Sequence, residues 1–304
     1  MNRQRAGFDQ LMRFWLDTAS ARGVVARLDH SLSQALEQHD YPNAVAQQLR
    51  HLAGAAVALA SNLKQAAKIV LQAQGDGVVP LLCVEATEAL TLRAYANVRE
   101  GASVMADTDL ASLVAPQGNG RLTLTIAPDD GQMYQGIVTL RAGNVADLLG
   151  DYLCMSQQTA TRLWLRDDGN VLEALMLERL PEAQHDEAGD RAWSALVAQA
   201  DAAFAEPFMP FPFAVWLNDV FSGHVVRGQE PQAIRFACSC TLERVHNALR
   251  LLGADELQSL LVERGEVDTR CEFCGKRYRV DAAGVRALFA PADATRAPGS
   301  DSVQ

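Results

Sequence analysis

Apolar residues recur with two different periods in the N-terminal part of the chain, and these periods predict both helices and strands. Apolar positions at helical spacing predict three helices, over 31–38, 43–63 and 146–155. Strand-like stretches joined by Gly-containing turns predict three hairpins, in which 69–73 pairs with 78–84, 122–126 with 135–138, and 162–165 with 171–177, and apolar residues alternate with Thr in 122–126. We therefore predict an α+β fold in which residues 1–184 form a mixed sheet-and-helix domain.

The pattern changes beyond Pro181, where a polar and acidic stretch over 183–190 indicates a domain boundary. A helix is predicted over 191–204, and an unusually apolar run over 208–221 follows it. We predict a helical linker over 185–235. Such an apolar segment either docks onto the first domain or forms an interaction surface that is covered only conditionally, and we expect docking in the resting state.

The C-terminal pattern predicts a small domain over 236–290 that consists of two short helices and a hairpin. Thr241 is a suitable cap for a helix that Gly253 ends, and Asp255 resembles the first residue of a capping box for a second helix. A domain of this size has a thin core, so we expect a bound metal to supply much of its stability. The tail over 291–304 is rich in Ala, Pro, Ser and Asp and is predicted to be disordered.

The charge balance narrows the class of protein. Twenty-seven Lys and Arg residues against 37 Asp and Glu give a formal net charge of −10, which disfavours binding to phosphate backbones. The chain begins without the apolar stretch of a secretory signal, and its longest uncharged runs are too short to cross a bilayer. We therefore expect a cytoplasmic protein that binds neither nucleic acid nor membrane.

The sequence contains none of the familiar catalytic motifs. The G-x-S-x-G, H-E-x-x-H and phosphate-loop patterns are absent, and the six His residues are scattered without ligand or triad spacing. One of them, His246, lies between two cysteine pairs. We expect a protein that performs no enzymatic turnover.

Four of the six cysteines form two close pairs, Cys238-Ser239-Cys240 and Cys271-Glu272-Phe273-Cys274. In a reducing compartment, two such pairs predict a four-thiolate zinc site, because tetrahedral zinc takes two ligands from each of two turns. The glycine that follows the second pair, Gly275, fits a turn that needs a positive φ. The other two cysteines, at positions 83 and 154, are expected to be inert core residues.

A four-cysteine site of this kind permits three functions. A permanently closed structural zinc ribbon would support nucleic-acid or enzyme work in the first domain. A redox switch would use the thiolates that zinc maintains, because the thiolate is the form that peroxide or hypochlorite oxidises. A thiol oxidoreductase would act through Cys271 and Cys274, although the sequence around them lacks the βαβ pattern of thioredoxin-like proteins.

Taken together, these motifs resemble the 33 kDa chaperonin family, the redox-regulated heat-shock holdases of bacteria. The resemblance spans nearly the whole chain, and the spacing of the cysteine pairs behind a linker is its most specific part. The other matching stretches are 27–32, 39–42, 71–77, 134–136 and 161–164, with the sequences RLDHSL, HDYP, LQAQGDG, YQG and TRLW.

The resemblance implies a molecular chaperone that binds unfolding proteins without ATP under heat and oxidative stress. It gives Cys238, Cys240, Cys271 and Cys274 the roles of zinc ligands and redox-active thiols, with one Zn2+ bound in the reduced, inactive form. It also implies that oxidation joins Cys238 with Cys240 and Cys271 with Cys274, releases zinc, and unfolds a metastable linker together with the zinc region. The oxidised form is expected to be a homodimer. This holdase is our leading hypothesis, and the closed zinc ribbon is the alternative.

Overall fold

The computed structural model describes residues 9–157, 159–181, 186–209 and 212–289. The chain divides into two compact units, Met1–Ala237 and Cys238–Gln304, called here the first and second unit. The predicted linker over 185–235 therefore falls within the first unit, and its separate behaviour stays a prediction. The predicted disordered tail over 291–304 lies outside the described residues.

The described part of the first unit mixes strands and helices along the chain. In chain order they are β1 (Gln10–Leu16), β2 (Ala21–Leu28), α1 (His30–Leu36), α2 (Asn43–Ala60), β3 (Ala67–Gln74), β4 (Leu81–Thr87), β5 (Thr91–Asn97), α3 (Leu110–Val114), β6 (Arg121–Pro128), β7 (Tyr134–Thr139), α4 (Val145–Gln157), β8 (Thr161–Asp167), β9 (Leu172–Arg179), α5 (Glu187–Ala205), α6 (Phe213–Val220), β10 (Val226–Gly228), β11 (Gln232–Ala233) and β12 (Arg235–Phe236). Within the described chain, no helix combines the length and apolar character needed to cross a membrane. The predicted α+β class is confirmed.

The strands form two sheets, and helix α2 contacts strands of both. The order in one sheet is β10-β1-β2-β9-β8, with β11 also paired to β1, and the order in the other is β12-β5-β4-β3-β6-β7. Helix α2 is buried over most of its length because its small Ala and Gly residues permit close packing. At Gly54, an added Cβ atom would lie 2.1 Å from Leu172 Cδ2 of β9, so a larger residue would require the buried Leu172 side chain to move.

The three predicted hairpins and the three predicted helices of the first unit are all confirmed. Helix α2 ends at Ala60 rather than at Leu63. The sequence pattern does not predict the hairpin of β1 and β2. Most residues of β2 are buried on both of its faces, so the strand shows no alternation, and the connecting residues 17–20, DTAS, contain no glycine that would mark a turn.

The described residues between 187 and 221, called here the covering segment, pack on one face of the sheet that contains β1, β2 and β9. Phe14 of β1 and Phe221 lie with ring centroids 5.8 Å apart. The apolar cluster that joins the segment to β1, β2 and β9 contains Met12, Phe14, Leu16, Ala21, Val25, Leu175, Leu177, Leu196, Ala200, Met209, Phe213, Trp216, Leu217 and Phe221. The docking that we expect for the resting state is confirmed.

The covering segment contains two helices rather than one continuous helix. Helix α5 ends at Ala205, and helix α6 begins at Phe213, directly after Pro212. Proline lacks a backbone N–H and disfavours helical conformation in the residue before it, which explains the break. Pro207 also lies between the two helices, whereas Pro210 lies outside the described residues.

A buried charged cluster holds the chain between α5 and α6. Glu173 of β9 is fully buried, and its carboxylate lies 2.6 Å from Arg166 Nη2 and 3.4 Å from Arg27 Nη1. The same carboxylate accepts a hydrogen bond of 3.1 Å from the Met209 N–H group, and Arg27 donates to Met209 O at 3.0 Å. Arg166 also donates to the carbonyl groups of Ala203, Phe204 and Glu206. These buried charges depend on one another, because removing one leaves the others uncompensated.

The second unit is small and mainly helical. Its described elements are α7 (Leu242–Leu252), α8 (Ala254–Arg264), β13 (Val267–Arg270), β14 (Arg277–Val280) and α9 (Ala282–Leu288). Strands β13 and β14 form the predicted antiparallel hairpin. The buried apolar core consists of Leu249, Leu257, Leu261, Val267, Val280, Val285 and Leu288. This core is thin for independent stability, as the sequence pattern predicts.

The ends of the first two helices in the second unit test the predicted caps. Thr241 Oγ1 accepts a hydrogen bond of 3.2 Å from the Arg244 N–H group, which confirms the cap of α7. Gly253, with φ of +89°, ends α7 as predicted. The predicted capping box at Asp255 is wrong, because α8 begins directly after Gly253. Asp255 instead lies in the first turn of α8, where its negative charge interacts favourably with the partial positive charge at the N-terminal end of the helix.

Candidate metal centre

The four paired cysteines lie in a loop and a turn of the second unit. Cys238 and Cys240 precede helix α7, and Cys271 and Cys274 lie in the turn between β13 and β14. In the turn, the N–H groups of Cys274 and Gly275 donate to Cys271 O at 3.3 and 2.8 Å. Gly275 has φ of +65°, the conformation expected for this position of the turn.

The loop and the turn bring the four Sγ atoms within 4.8 Å of one another. The separation is 3.6 Å between Cys238 and Cys271, and 3.4 Å between Cys240 and Cys274. Sulfur atoms about 2.3 Å from the centre of a tetrahedron are about 3.8 Å apart, so these positions fit a single metal ion. Four thiolates favour a soft or borderline cation. His246 is not part of the four-sulfur group.

Tyr278 on β14 adds a polar contact to this cluster. Its Oη atom donates a hydrogen bond of 3.1 Å to Cys240 Sγ, and the residue is buried, with 6% of its surface exposed. Lys276 Nζ lies 5.2 Å from the centroid of the same ring, a distance that permits cation–π attraction. Tyr278 pairs with Thr269 in the hairpin, so the sheet holds its backbone. The sequence pattern predicts the strand but not this contact, because Tyr278 resembles any apolar residue of an alternating strand.

The side chains of the cluster do not by themselves stabilise four negative charges. Burial and the neighbouring thiols raise the pKa of Cys274 to about 12, and burial also raises the pKa of Cys271. Burial acts in the same direction on Cys240, but hydrogen bonds from Tyr278 and from the other thiols outweigh it and lower the pKa to about 7. A bound cation would allow all four sulfurs to be thiolates together.

The two remaining cysteines lie in different environments. Cys83 on β4 is buried, as predicted, and burial and the nearby carboxylate of Glu85 raise its pKa to about 12. Cys154 on α4 is exposed, so the prediction that it is a core residue is wrong. Its neighbour Leu153 is the buried residue, because successive helical residues point in different directions.

The described chain thus combines a first unit of mixed strands and helices with a small second unit that carries four clustered cysteines. This combination defines a class of two-unit protein with a candidate metal centre formed by four thiols. The family model described as "Hsp33 protein" matches residues 9–281. A 33 kDa chaperonin of Pseudomonas fluorescens is 38% identical over 287 residues, which cover 93% of this chain and 94% of that protein. A 33 kDa chaperonin of Methylobacillus flagellatus is 35% identical, with coverage of 92% and 94%. The chain belongs to the Hsp33 family.

A solved structure also matches the fold. The 33 kDa chaperonin (heat shock protein 33 homolog) of Thermotoga maritima superposes with a TM-score of 0.75, over 92% of this chain and 97% of that chain. The sequence identity is 18%, so this match supports the fold. The family membership confirms the resemblance found in the sequence motifs and places the chain among heat-shock chaperones.

Proposed function

We propose that this protein is a redox-regulated chaperone that binds unfolding proteins without ATP under heat and oxidative stress. Family membership supports the chaperone class, and the four-sulfur cluster is the observation that carries the redox part of the proposal. In the reduced, inactive form, Cys238, Cys240, Cys271 and Cys274 would hold one zinc ion, which supplies the positive charge that keeps the sulfurs as thiolates. The protein would act in the cytoplasm, where reductants maintain this form.

Oxidation would remove the ligands of the metal. Each pair of thiolates gives two electrons to one molecule of hydrogen peroxide, and a disulfide and two molecules of water form with the uptake of two protons. We assign the disulfides to Cys238 with Cys240 and to Cys271 with Cys274. Because the thin core of the second unit then lacks metal ligation, this unit would largely unfold.

Release of the linker over 185–235 would follow and uncover apolar surface. The covering segment and the sheet face beneath it share one apolar cluster, so its release exposes both sides. Unfolding proteins also expose apolar side chains, and burial of apolar surface favours their association with this face. The oxidised protein would act as a homodimer. This activity is binding without turnover.

Treatment of the reduced, zinc-loaded protein with hydrogen peroxide tests the proposal. We expect release of about one zinc ion per chain and loss of the four clustered thiols, because disulfide formation consumes the ligands. We also expect the oxidised protein to suppress the thermal aggregation of a client without ATP. A chromogenic chelator, a thiol assay and light scattering measure these three changes.

The reduced protein and a sample reduced again in the presence of zinc are the controls, and both should leave aggregation unchanged. Retention of the metal after oxidation would contradict the switch and favour a closed structural zinc ribbon. Unchanged aggregation after complete oxidation would contradict the chaperone activity that we propose.

The disulfide pairing needs a separate measurement, because the two sulfur contacts given above, 3.6 and 3.4 Å, join the two halves of the site crosswise. Trypsin cleaves after Arg235, Arg244, Arg270 and Lys276, and thus places each cysteine pair in its own peptide. We expect mass spectrometry without reduction to detect two separate peptides, each lacking two hydrogen atoms. A covalent link between the two peptides would show the crosswise pairing and contradict the assignment.

A further inference from the structure

The contact between Tyr278 and Cys240 connects the two halves of the cysteine cluster. Tyr278 follows the C-x-x-C turn, whereas Cys240 belongs to the Cys-x-Cys pair. The hydroxyl group donates to Cys240 Sγ at 3.1 Å, and the ring is buried in the second unit. Strand pairing holds the backbone of Tyr278, and Lys276 Nζ lies 5.2 Å from its ring centroid. The hydroxyl is therefore held in place against one sulfur of the cluster.

Hydrogen bonds at the C-x-x-C pair have a different origin. Backbone N–H groups of Phe273 and Cys274 act on the Cys271 sulfur, and that of Lys276 acts on the Cys274 sulfur. These donors belong to the backbone of the turn itself. The Tyr278 hydroxyl belongs to a side chain, so a substitution can remove it and keep the turn.

A hydrogen bond to a thiolate lowers the reactivity of the sulfur toward peroxide. When all four sulfurs are thiolates, their rates differ through access and intrinsic nucleophilicity rather than through the amount of thiolate. The nucleophilicity of a thiolate falls as the pKa of its thiol falls, with a slope of about 0.4–0.5 between the logarithm of the rate and the pKa. A decrease of one pKa unit therefore slows the reaction about threefold. A donor that withdraws charge from the sulfur therefore slows its oxidation.

We propose that Tyr278 is a positioning residue that protects Cys240 from oxidation through its hydroxyl hydrogen bond. The regulatory consequence rests on the proposed function: this hydrogen bond would raise the amount of oxidant needed to start the switch. Loss of a hydrogen bond to a metal ligand also weakens metal binding. Removing the Tyr278 hydroxyl would therefore lower the amount of oxidant needed by this route as well.

The protected step is the attack of Cys240 Sγ on hydrogen peroxide. The sulfur forms a bond to one peroxide oxygen, the O–O bond breaks, and the other oxygen leaves as hydroxide, which takes up a proton to form water. The sulfur is oxidised to sulfenic acid and the peroxide is reduced by two electrons. A neighbouring thiolate then attacks the oxidised sulfur and displaces hydroxide to form the disulfide.

Substitution Tyr278→Phe tests the proposal, because it removes the hydroxyl and keeps the ring. Dimedone would trap sulfenic acid early in peroxide treatment of the zinc-loaded protein, and tandem mass spectrometry would compare Cys240 with Cys238 in their shared tryptic peptide. We expect the Cys240 to Cys238 ratio to rise about threefold in the variant. The matched control is Tyr134→Phe, since the Tyr134 hydroxyl contacts Tyr152 rather than a cysteine, and it should leave the ratio unchanged.

An unchanged ratio in a Tyr278→Phe variant that retains its zinc would overturn the proposal. So would an equal acceleration at all four cysteines, because a merely structural role predicts that result. If the variant fails to hold zinc, the unmodified protein still decides. Cys238 and Cys240 are both half-buried, so their access is similar. Cys240 should therefore trap less dimedone than Cys238, and an equal or larger amount would contradict protection. Neither ratio depends on chaperone activity, so failure of the proposed function would be seen separately.

Discussion

Substitution Cys271→Ser will abolish metal binding and unfold the second unit even under reducing conditions. A structural zinc site contributes about 10–16 kcal/mol of binding free energy, and a serine hydroxyl does not replace a thiolate ligand at neutral pH. The buried core of this unit contains seven apolar residues and is too thin to compensate. We expect zinc content near zero and rapid proteolysis within 238–289, with residues 9–181 still resistant.

The matched control is Cys154→Ser, which removes an exposed thiol of the first unit. This variant should keep about one zinc ion per chain and the protease resistance of both units. Full resistance of the second unit in the Cys271→Ser variant would show that the unit folds without the metal. That result would remove the link between metal loss and unfolding on which the proposed switch depends.

Substitution Glu173→Gln will destabilise the first unit by about 3 kcal/mol and loosen the covering segment. The fully buried carboxylate compensates the charges of Arg27 and Arg166, and removing one member of such a buried cluster typically costs about 3–5 kcal/mol. The same groups bind the backbone of Met209, so the loss also weakens the attachment between α5 and α6. Urea unfolding followed by tryptophan fluorescence measures the stability, and chymotrypsin cleavage after Phe204 or Phe208 reports the loosening.

Glu178→Gln provides the control on the same strand. Glu178 pairs with Arg22, whose side chain is 37% exposed, so water compensates part of the lost interaction. We expect a loss of at most about 1 kcal/mol and no added cleavage in the covering segment. Equal effects of the two substitutions would show that the cluster around Glu173 holds the segment no more strongly than an ordinary ion pair.

Much of the fold could be predicted where the signal is local. The three predicted hairpins of the first unit follow from strand-like stretches joined by Gly-containing turns, and the cap of α7 follows from Thr241. The hairpin of β1 and β2 could not be predicted, because β2 shows no alternation and the connecting residues 17–20, DTAS, contain no glycine that would mark a turn. Cys154 could not be assigned either, since its exposure depends on which side of α4 faces the rest of the unit.

One member of the buried charged cluster, Glu173, could have been recognised from the sequence as an unusual residue. Glu173 lies in a run of apolar residues over 172–177, and a charge in such a run needs a buried partner. Its partners, Arg27 and Arg166, come from β2 and β8, and the backbone that the cluster holds comes from the end of α5 and from the residues that follow it. The anomaly is visible in the sequence, but only the paired strands bring these groups together.

The sequence by itself determined the residue type and the spacing of the two cysteine pairs, because these are local properties of the chain. It also determined the α+β class, since residue periods reflect burial within each element. Only the tertiary structure decided that the two cysteine pairs meet within 4.8 Å, that the Tyr278 hydroxyl reaches Cys240, and that Glu173 holds the covering segment. These contacts join residues that are distant in the chain, and packing of whole elements, rather than local sequence, brings such residues together.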